Sequence, residues 1–481
     1  MSLVKKWALI LASLFAFVWA VTRACLQSIT QDEGDTYFWF AARSARYIWH
    51  PFPNNHILNT LLIWVTTRMF GLSSFSLRMP ALLGAALYIC ICCFLSRAIT
   101  DRFSVQLPVL ICLIYNPFLL DFMVAARGYS LANAFLLAAI AIPVWHHVKG
   151  KPSLGTCCAL ASLALGLSFA ASFSFVFVDA AVFLAIVTWA VRERRGESIV
   201  RIAGLCILPG LLVTVILCGY ALSHWPKGEL LYGARSLGEM TRSMVDVSLY
   251  QLNPRFLLVE LYDTMDFLKP LLLPLLGILC VVQLVVTGLD GSWLRGFAAA
   301  LAGVTVLCVF LHWLAFHFYG VPLPMTRTGT FLIPLCTLSA AVVAAVPARS
   351  VVAQWLRRGI TGGLICLACY FLLCLRWSYF LEYKDGADTK EVYAVLARLN
   401  HAHGVTDVAM DGLYVAPLNF YRVLSKKETF PEFEYVPANE LPVGKSIYVL
   451  HGGVYRGFIE KEKLAIVYQG KLSEVVVAVK P

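Results

Sequence analysis

Three carboxylates stand within four positions directly after the first apolar segment of the chain, at Asp32, Glu33 and Asp35. The segment before them, residues 7–26, is apolar apart from Arg23 and is long enough to cross a bilayer. Because unpaired charges are costly in hydrocarbon, we expect the three acids at the membrane surface. A carboxylate held there can take the proton of a hydroxyl that attacks a membrane-bound substrate. Solvated residues at a helix end would give the same pattern.

The composition is typical of an α-helical polytopic membrane protein rather than of a soluble one. Of the 481 residues, 59% are hydrophobic and 14% are charged, and the mean hydropathy is +0.74. We predict about eleven membrane-spanning helices. Their positions are 7–26, 77–98, 104–120, 130–147, 154–170, 173–191, 202–222, 268–289, 296–316, 328–347 and 360–377.

The distribution of Lys and Arg predicts the orientation of these helices. With a cytoplasmic N-terminus, the inner connections hold fourteen Lys and Arg in about 50 residues, whereas the outer ones hold about ten in about 120. The acidic cluster and the region from residue 381 then lie outside the cytoplasm. No Asn-x-Ser/Thr sequence occurs, which favours a bacterial source and hence the bacterial inner membrane.

Two predicted outer connections, at about 27–76 and 223–267, are too long to be simple links, and their aromatic and charged residues favour a function. Residues 381–481 alternate predicted helices and strands, which indicates a small α/β domain. We therefore predict a membrane domain over 1–380 and an extracytoplasmic domain over 381–481.

The net charge of +11 belongs to the membrane domain, because the tail holds 12 basic and 13 acidic residues. Nothing indicates nucleic acid binding.

Several short motifs follow one another along the chain, and they are Asp32-Glu33, Asn54-Asn55-His56, Phe70-Gly71, Leu77-Arg78-Met79-Pro80, Ala126-Arg127-Gly128-Tyr129-Ser130-Leu131 and Pro324-Met325-Thr326-Arg327. Their order and spacing resemble GT-C glycosyltransferases, in particular protein-O-mannosyltransferase-like enzymes and the bacterial relatives that modify lipopolysaccharide. The resemblance covers about 1–150 and 315–380. It implies a GT-C-like fold and the transfer of a sugar from a polyprenyl-phosphate carrier to an acceptor hydroxyl on the outer face. The acceptor, a glycan, a lipid or a protein, stays open.

The resemblance also implies roles for individual acids. Asp32 matches the catalytic Asp of the family, and Glu33 matches its usual acidic neighbour. Asp35 is an additional acid, so the choice of the base stays open among the three. Many relatives carry Lys-Pro where this chain has Asn55-His56. A phosphate contact would then fall on His56, which is cationic only below about pH 6.5 when unperturbed.

Arg127 and Arg327 are the better candidates for the phosphate, since a guanidinium can bind it through two N–H groups. For Arg127 an interfacial anchor is the alternative. Asn55, Arg78 and Tyr129 complete the predicted substrate-binding set. No cofactor is expected; a divalent metal could bind the acids weakly, but the nearest relatives do not generally require one. All fifteen cysteines lie in or at the edges of predicted spans, which also disfavours a zinc site.

A transporter or flippase of lipid-linked saccharides is the main alternative function. Transporters tend to show repeated halves and paired ionisable groups near the middle of the membrane. The sequence shows no internal repeat, and Asp179 is its clearest deep charge. Polar residues collect instead in the two long outer loops, on one face of the membrane. An enzyme that works at the membrane surface would require this arrangement, and membrane lipids would surround it.

Overall fold

The computed structural model describes residues 3–249, 271–285 and 293–481, apart from positions 151, 195, 227, 272, 273, 283, 349, 426–429 and 437–440. The helices are α1 Leu3–Leu26, α2 Gln31–Asp35, α3 Ile57–Phe70, α4 Ser74–Ile99, α5 Phe103–Ile114, α6 Pro117–Phe122, α7 Tyr129–Lys149, α8 Leu154–Ala171, α9 Val176–Glu193, α10 Ile199–Ser223, α11 Leu237–Ser248, α12 Trp293–Tyr319, α13 Leu332–Ala345, α14 Val351–Leu373, α15 Thr389–His403, α16 Gly412–Ser425 and α17 Arg456–Lys461. The strands are β1 Val408–Met410, β2 Ile447–His451, β3 Ala465–Gln469 and β4 Val475–Val479.

Nine helices in the described part of the chain are long and apolar enough to cross a membrane. This confirms a polytopic helical membrane protein. The nine are α1, α4, α7, α8, α9, α10, α12, α13 and α14, where short 3₁₀ turns precede α9 and α13. They correspond to nine of the predicted spans, although the last helix begins at residue 351 rather than 360. The predicted span 268–289 lies partly outside the described residues.

The predicted span at 104–120 is wrong as a single helix. It divides into α5, which has 12 residues, and the six-residue α6. Asn116 caps α6, because its side-chain oxygen accepts the N–H groups of Phe118 and Leu119 at 3.2 Å each. Pro117 takes the first helical position, where its missing N–H costs nothing. The Asn-Pro pair therefore starts a new helix instead of continuing the first.

The long loop over residues 27–76 is a compact series of short helices rather than a flexible link. Thr30 begins α2 with a capping box: its Oγ1 accepts the N–H of Glu33 at 3.3 Å, and Glu33 Oε2 accepts the N–H of Thr30 at 2.9 Å. A π-helical turn over Thr36–Ala41 and a 3₁₀ turn over Ala45–Trp49 follow, and α3 closes the loop. In the later long loop α11 is described, while residues 250–267 lie outside the described residues.

The tail forms a four-stranded sheet in the order β1-β2-β4-β3, which confirms the predicted C-terminal α/β fold. Strands β1 and β2 are parallel and are connected through α16, whereas β4 pairs antiparallel with both β2 and β3. The predicted boundary at residue 380 falls in the connection between α14 and α15. Apolar residues of the tail, among them Val392, Leu396 and Tyr414, share one buried cluster with the loop over residues 27–76 and α4. That loop and α4 contribute Ile29, Ala41 and Leu77.

Candidate active site

A fully buried ion pair fixes the segment that carries the acidic cluster. Arg78 in the first turns of α4 donates from Nε to Glu33 Oε1 at 2.8 Å and from Nη2 to Oε2 at 2.7 Å. Oε1 also accepts the N–H of Ala126 at 2.7 Å. Arg78 donates further to three carbonyls at the end of α1 and just beyond it, those of Ala24, Gln27 and Ser28.

These contacts give Glu33 and Arg78 a positioning role rather than the catalytic and substrate-binding roles expected from the sequence. Both side chains are completely buried, and their hydrogen-bonding groups are used by the protein. Burial would raise the pKa of Glu33, but Arg78 and the backbone N–H groups hold it below its ordinary value. Glu33 is therefore ionised and bound in place.

Asp32, the neighbour of Glu33, binds a different set of groups. Its Oδ2 accepts hydrogen bonds from Arg327 Nη1 and from the Tyr383 hydroxyl, both at 2.8 Å. Arg127 Nη2 lies 3.9 Å from the same oxygen. Burial would raise the pKa of Asp32, but the two arginines and Tyr383 together lower it. The carboxylate is ionised at neutral pH, and 13% of the side chain stays exposed and can meet a substrate.

Arg127 makes its contacts within the protein. Its side chain is 1% exposed, and it donates to Thr36 Oγ1 at 3.0 Å and to the side chain of Asn54. His56 Nε2 lies 3.0 Å from Arg127 Nη2, while His56 Nδ1 lies 2.9 Å from the carbonyl of Ala171. A carbonyl can only accept, so Nδ1 carries the proton and Nε2 accepts from Arg127. His56 is thus held neutral.

The predicted phosphate contact at His56 does not fit this arrangement, because both ring nitrogens already have partners. Burial, followed by the charge of Arg127, holds the pKa of His56 well below its ordinary value. Tyr129 is 3% exposed and packs edge-to-face on His56, with ring centroids 4.7 Å apart. Asn55 Nδ2 donates to the carbonyls of Ile48 and His50 at 3.0 and 2.9 Å. Asn55 and Tyr129 therefore shape the loop around Arg127.

A strained turn presents Arg327 to the site. Thr326, directly before it, has a φ of +41°, which is uncommon for a residue other than glycine. The Tyr232 hydroxyl hydrogen-bonds to Thr326, and the Tyr232 ring lies 4.7 Å from the Arg327 guanidinium. Ala234 and Leu323 exchange two backbone hydrogen bonds of 2.8 and 3.0 Å, which joins the two segments. Strain of this kind often accompanies functional positions.

The connection after α14 supplies two residues of the site that the sequence analysis missed. Tyr383 donates to Asp32, and Glu382 Oε1 lies 3.4 Å from Arg327 Nη1. Burial raises the pKa of Glu382 to about 7, although Arg327 offsets part of the effect. The available signal was the run of aromatic and acidic residues over 379–383, directly after the last predicted span.

This connection is fastened to the membrane helices by a second buried ion pair. Arg23 Nη2 donates to Asp121 Oδ1 at 2.6 Å and to the carbonyl of Tyr379 at 3.1 Å. Asp121 Oδ2 accepts the N–H of Leu381 at 2.9 Å. The pair between α1 and α6 therefore holds the residues that lead directly into Glu382 and Tyr383.

Asp35 differs from the other two acids in its protonation. It is partly buried near Asp32. Burial and the charge of Asp32 raise its pKa to about 7, and Arg127 offsets only part of this rise. Asp35 is therefore partly protonated at neutral pH, and it can donate a hydrogen bond where Asp32 accepts one.

Helix α16 of the tail packs directly on α2. A Cβ placed on Gly34 would lie 2.8 Å from both the Cβ and the carbonyl carbon of Ala416. The Tyr421 hydroxyl, one turn further along α16, accepts the N–H of Ile29 at 2.9 Å. Only a residue without a side chain fits between α2 and α16. Because Asp32 also lies in α2, the contact with the tail helps to fix its position.

Asp179 and a possible metal site, both considered from the sequence, are not part of this cluster. Asp179 lies in α9, on the wall of a cleft of about 280 Å³ between α8, α9 and α10. Among the described residues no three His, Cys, Asp or Glu side chains are grouped for a metal ion. The expectation that no metal or other cofactor is required stays a prediction.

We expect Gly34→Ala to destabilise the protein by about 1–3 kcal/mol, because the added methyl group overpacks the contact with Ala416. Thermal unfolding in detergent would measure the loss. Ala416→Gly should restore part of it in the double variant. Gly386→Ala is the matched control, since a Cβ there meets nothing within 4 Å. Equal unfolding midpoints for Gly34→Ala and wild type would contradict the tight contact.

Asp35→Asn should change stability in a pH-dependent way. The pKa of Asp35 rises from 3.8 to about 7 on folding, so the folded state binds more protons between these values. The protonated Asp35 side chain therefore stabilises the folded state below about pH 4, and this stabilisation is lost as the pH rises through about 7. Asn does not titrate, so wild type loses stability between pH 4 and pH 8 and the variant does not. The unfolding midpoint of Asp35→Asn should therefore increase relative to that of wild type over this range. A difference that does not vary with pH would show that Asp35 titrates normally.

Comparison with known proteins supports the architecture. The sequence matches no protein-family model, and no curated protein matches it. Among solved structures, ArnT from Cupriavidus metallidurans bound to undecaprenyl phosphate superposes with a TM-score of 0.52 at 11% identity, over 98% of this chain and 98% of that one. ArnT from the same organism in the apo state gives 0.48 at 12% identity, over 100% and 99%. The first match establishes a shared fold, which confirms the GT-C-like architecture that the motifs indicated.

Proposed function

We propose that the protein is a membrane glycosyltransferase that moves a sugar from a polyprenyl-phosphate donor to the hydroxyl of a glycan, lipid or protein acceptor. The observation that carries this proposal is the 2.8 Å contact between Asp32 and Arg327 at one end of the helix bundle. It places a proton acceptor beside a cation that can hold a phosphate. The solved structure with the same fold contains undecaprenyl phosphate.

Arg327 is the better placed of the two arginines for the donor phosphate. Its side chain is 17% exposed, against 1% for Arg127. A phosphate would replace the carboxylate of Asp32 on this guanidinium, beside Glu382. Because the pKa of Glu382 is about 7, protonation of Glu382 can compensate for the incoming negative charge. Arg127 then acts by holding Asp32 and the first loop in place.

Phosphate binding would also prepare the base. While Arg327 is bound to Asp32, it stabilises the carboxylate and makes it a weak proton acceptor. Once the phosphate takes Arg327, the pKa of Asp32 rises. The acceptor oxygen then bonds to the anomeric carbon as the bond from that carbon to the phosphate oxygen breaks. The proton goes to Asp32, and the electron pair leaves with the polyprenyl phosphate, which Arg327 stabilises.

The predicted orientation supports a lipid-linked donor. Soluble nucleotide-sugars are made in the cytoplasm, whereas the positive-inside rule predicts that this end of the bundle lies outside it. The flippase alternative is less well supported, because Asp32, Arg127, Arg327 and Tyr383 all gather at one end of the helices. A translocation path would need polar groups along its length.

Transfer assays on single variants test the proposal. The purified protein in nanodiscs would receive a panel of synthetic labelled polyprenyl-phosphate sugars and an extract of bacterial envelope glycolipids. Asp32→Asn should lower turnover by about 10²-fold or more, since it removes the proton acceptor at constant size. Arg327→Ala should weaken donor use, and Arg327→Lys should recover only part of it, because the two-pronged geometry is lost.

Exposed Glu460 provides the matched control, and Glu460→Gln should transfer like wild type. If Asp35→Asn abolishes turnover while Asp32→Asn preserves it, Asp35 is the base. Full activity of Arg327→Ala, or efficient transfer from a nucleotide-sugar without a lipid carrier, would contradict the proposed donor site. Translocation of the lipid-linked sugar across liposomes without transfer would instead support the flippase.

A further inference from the structure

Three exposed arginines gather on the first outer loop, and the described residues offer them no acidic partner. Arg46 lies in the 3₁₀ turn, Arg43 lies just before it, and Arg68 lies in the last turn of α3. Within the described parts of the chain, none of the three has a carboxylate oxygen within 4.0 Å. No acid among the described residues therefore neutralises their charges.

The arginines are close enough to repel one another. The guanidinium carbons of Arg43 and Arg46 lie 5.1 and 5.2 Å from the centre of the same ring, that of Tyr47. The two cations are thus at most about 10 Å apart, roughly one Debye length at 0.1 M salt. Arg68 Nη2 donates to the carbonyl of Arg43 at 3.4 Å, and its guanidinium lies 4.2 Å from the ring of Trp64. An anion among them would relieve this repulsion.

Large apolar side chains are exposed on the same loop. They are Trp39 at 46%, Met69 at 68%, Phe70 at 61% and Phe75 at 41%. Aromatic and apolar side chains next to arginines are typical of segments that lie in the interfacial region of a bilayer. We call Arg43, Arg46 and Arg68, together with these four residues, the arginine–aromatic patch.

We propose that the arginine–aromatic patch binds the phosphate groups of anionic phospholipids in the leaflet on which the candidate active site opens. Guanidinium groups match phosphate oxygens in geometry and charge. The exposed apolar side chains can enter the acyl region beneath those headgroups. Clustered arginines are also unusual on the predicted outer side, where the positive-inside rule leads us to expect few cations. A lipid ligand explains the cluster, whereas orientation does not.

Bound lipid would steady the part of the loop that leads to the candidate base. The π-helical turn Thr36–Ala41 begins directly where α2 ends. Arg68 Nη1 donates to the carbonyl of Ala41 at 3.4 Å, and Arg43 Nε donates to the carbonyl of Phe38 at 3.2 Å. Lipid contacts at the patch would therefore hold Asp32 at the depth of the headgroups. The patch binds lipid whether or not the chain transfers a sugar.

Native mass spectrometry can measure this binding without donor or acceptor. The protein would be released from nanodiscs of phosphatidylcholine mixed in equal parts with phosphatidylglycerol. Wild type should retain phosphatidylglycerol in preference to phosphatidylcholine. Replacement of all three arginines by Gln should weaken that retention roughly 100-fold, since each basic residue near an anionic surface contributes a factor of roughly five. Replacement by Lys should preserve most of the effect.

Arg456→Gln is the control, because Arg456 is exposed on the tail and pairs with Glu460. The double variant Arg43→Gln, Arg46→Gln leaves the contacts of Arg68 intact and should still lose most of the preference, even if the triple variant folds poorly. Unchanged preference in the double variant would overturn the proposal, and so would an equal loss in Arg456→Gln. Displacement of the lipid by inorganic phosphate at constant ionic strength would assign the patch to free phosphate instead.

Discussion

The Glu33–Arg78 pair is the interaction on which the rest of the site depends. It is completely buried and two-pronged, and it joins the end of α1, the start of α4 and the segment before Arg127. Loss of one partner would leave an unpaired buried charge, which typically costs about 3–5 kcal/mol. Because Glu33 takes this structural role, the adjacent Asp32 is free to face Arg327. Two neighbouring acids thus have different partners because their surroundings differ.

The site is assembled from distant parts of the chain, and each part is fixed before any substrate binds. Arg127 is held by His56 and the first loop, Arg327 by a strained turn against Tyr232, and the connection after α14 by Arg23 and Asp121. In this resting arrangement the arginines neutralise the candidate base. In the proposed mechanism, the phosphate of the donor would bind Arg327 and so raise the pKa of Asp32, which would favour binding of the donor before the acceptor.

The sequence predicted what local patterns encode. Long apolar runs predicted eleven membrane helices, and nine of them are present among the described residues. The strands of the tail were recognisable from short apolar runs between turns. The Asp32 and Arg327 motifs were found through the family resemblance. Tyr383 was missed because its hydrogen bond to Asp32 joins residues 351 positions apart, and no local spacing reports such a contact. The structural role of Glu33 also depends on a partner that adjacent residues do not reveal.

We propose that Asp32 is an ionised carboxylate bound to Arg327 until a lipid phosphate binds the arginine. Infrared difference spectra, recorded as undecaprenyl phosphate is added to the protein in nanodiscs, would detect this change of partner at Asp32. We expect a shift of a carboxylate stretching band that is absent in Asp32→Asn and present in Asp35→Asn. Lipid binding without a carboxylate shift, or a shift that persists in Asp32→Asn, would show that Asp32 does not exchange Arg327 for the lipid phosphate.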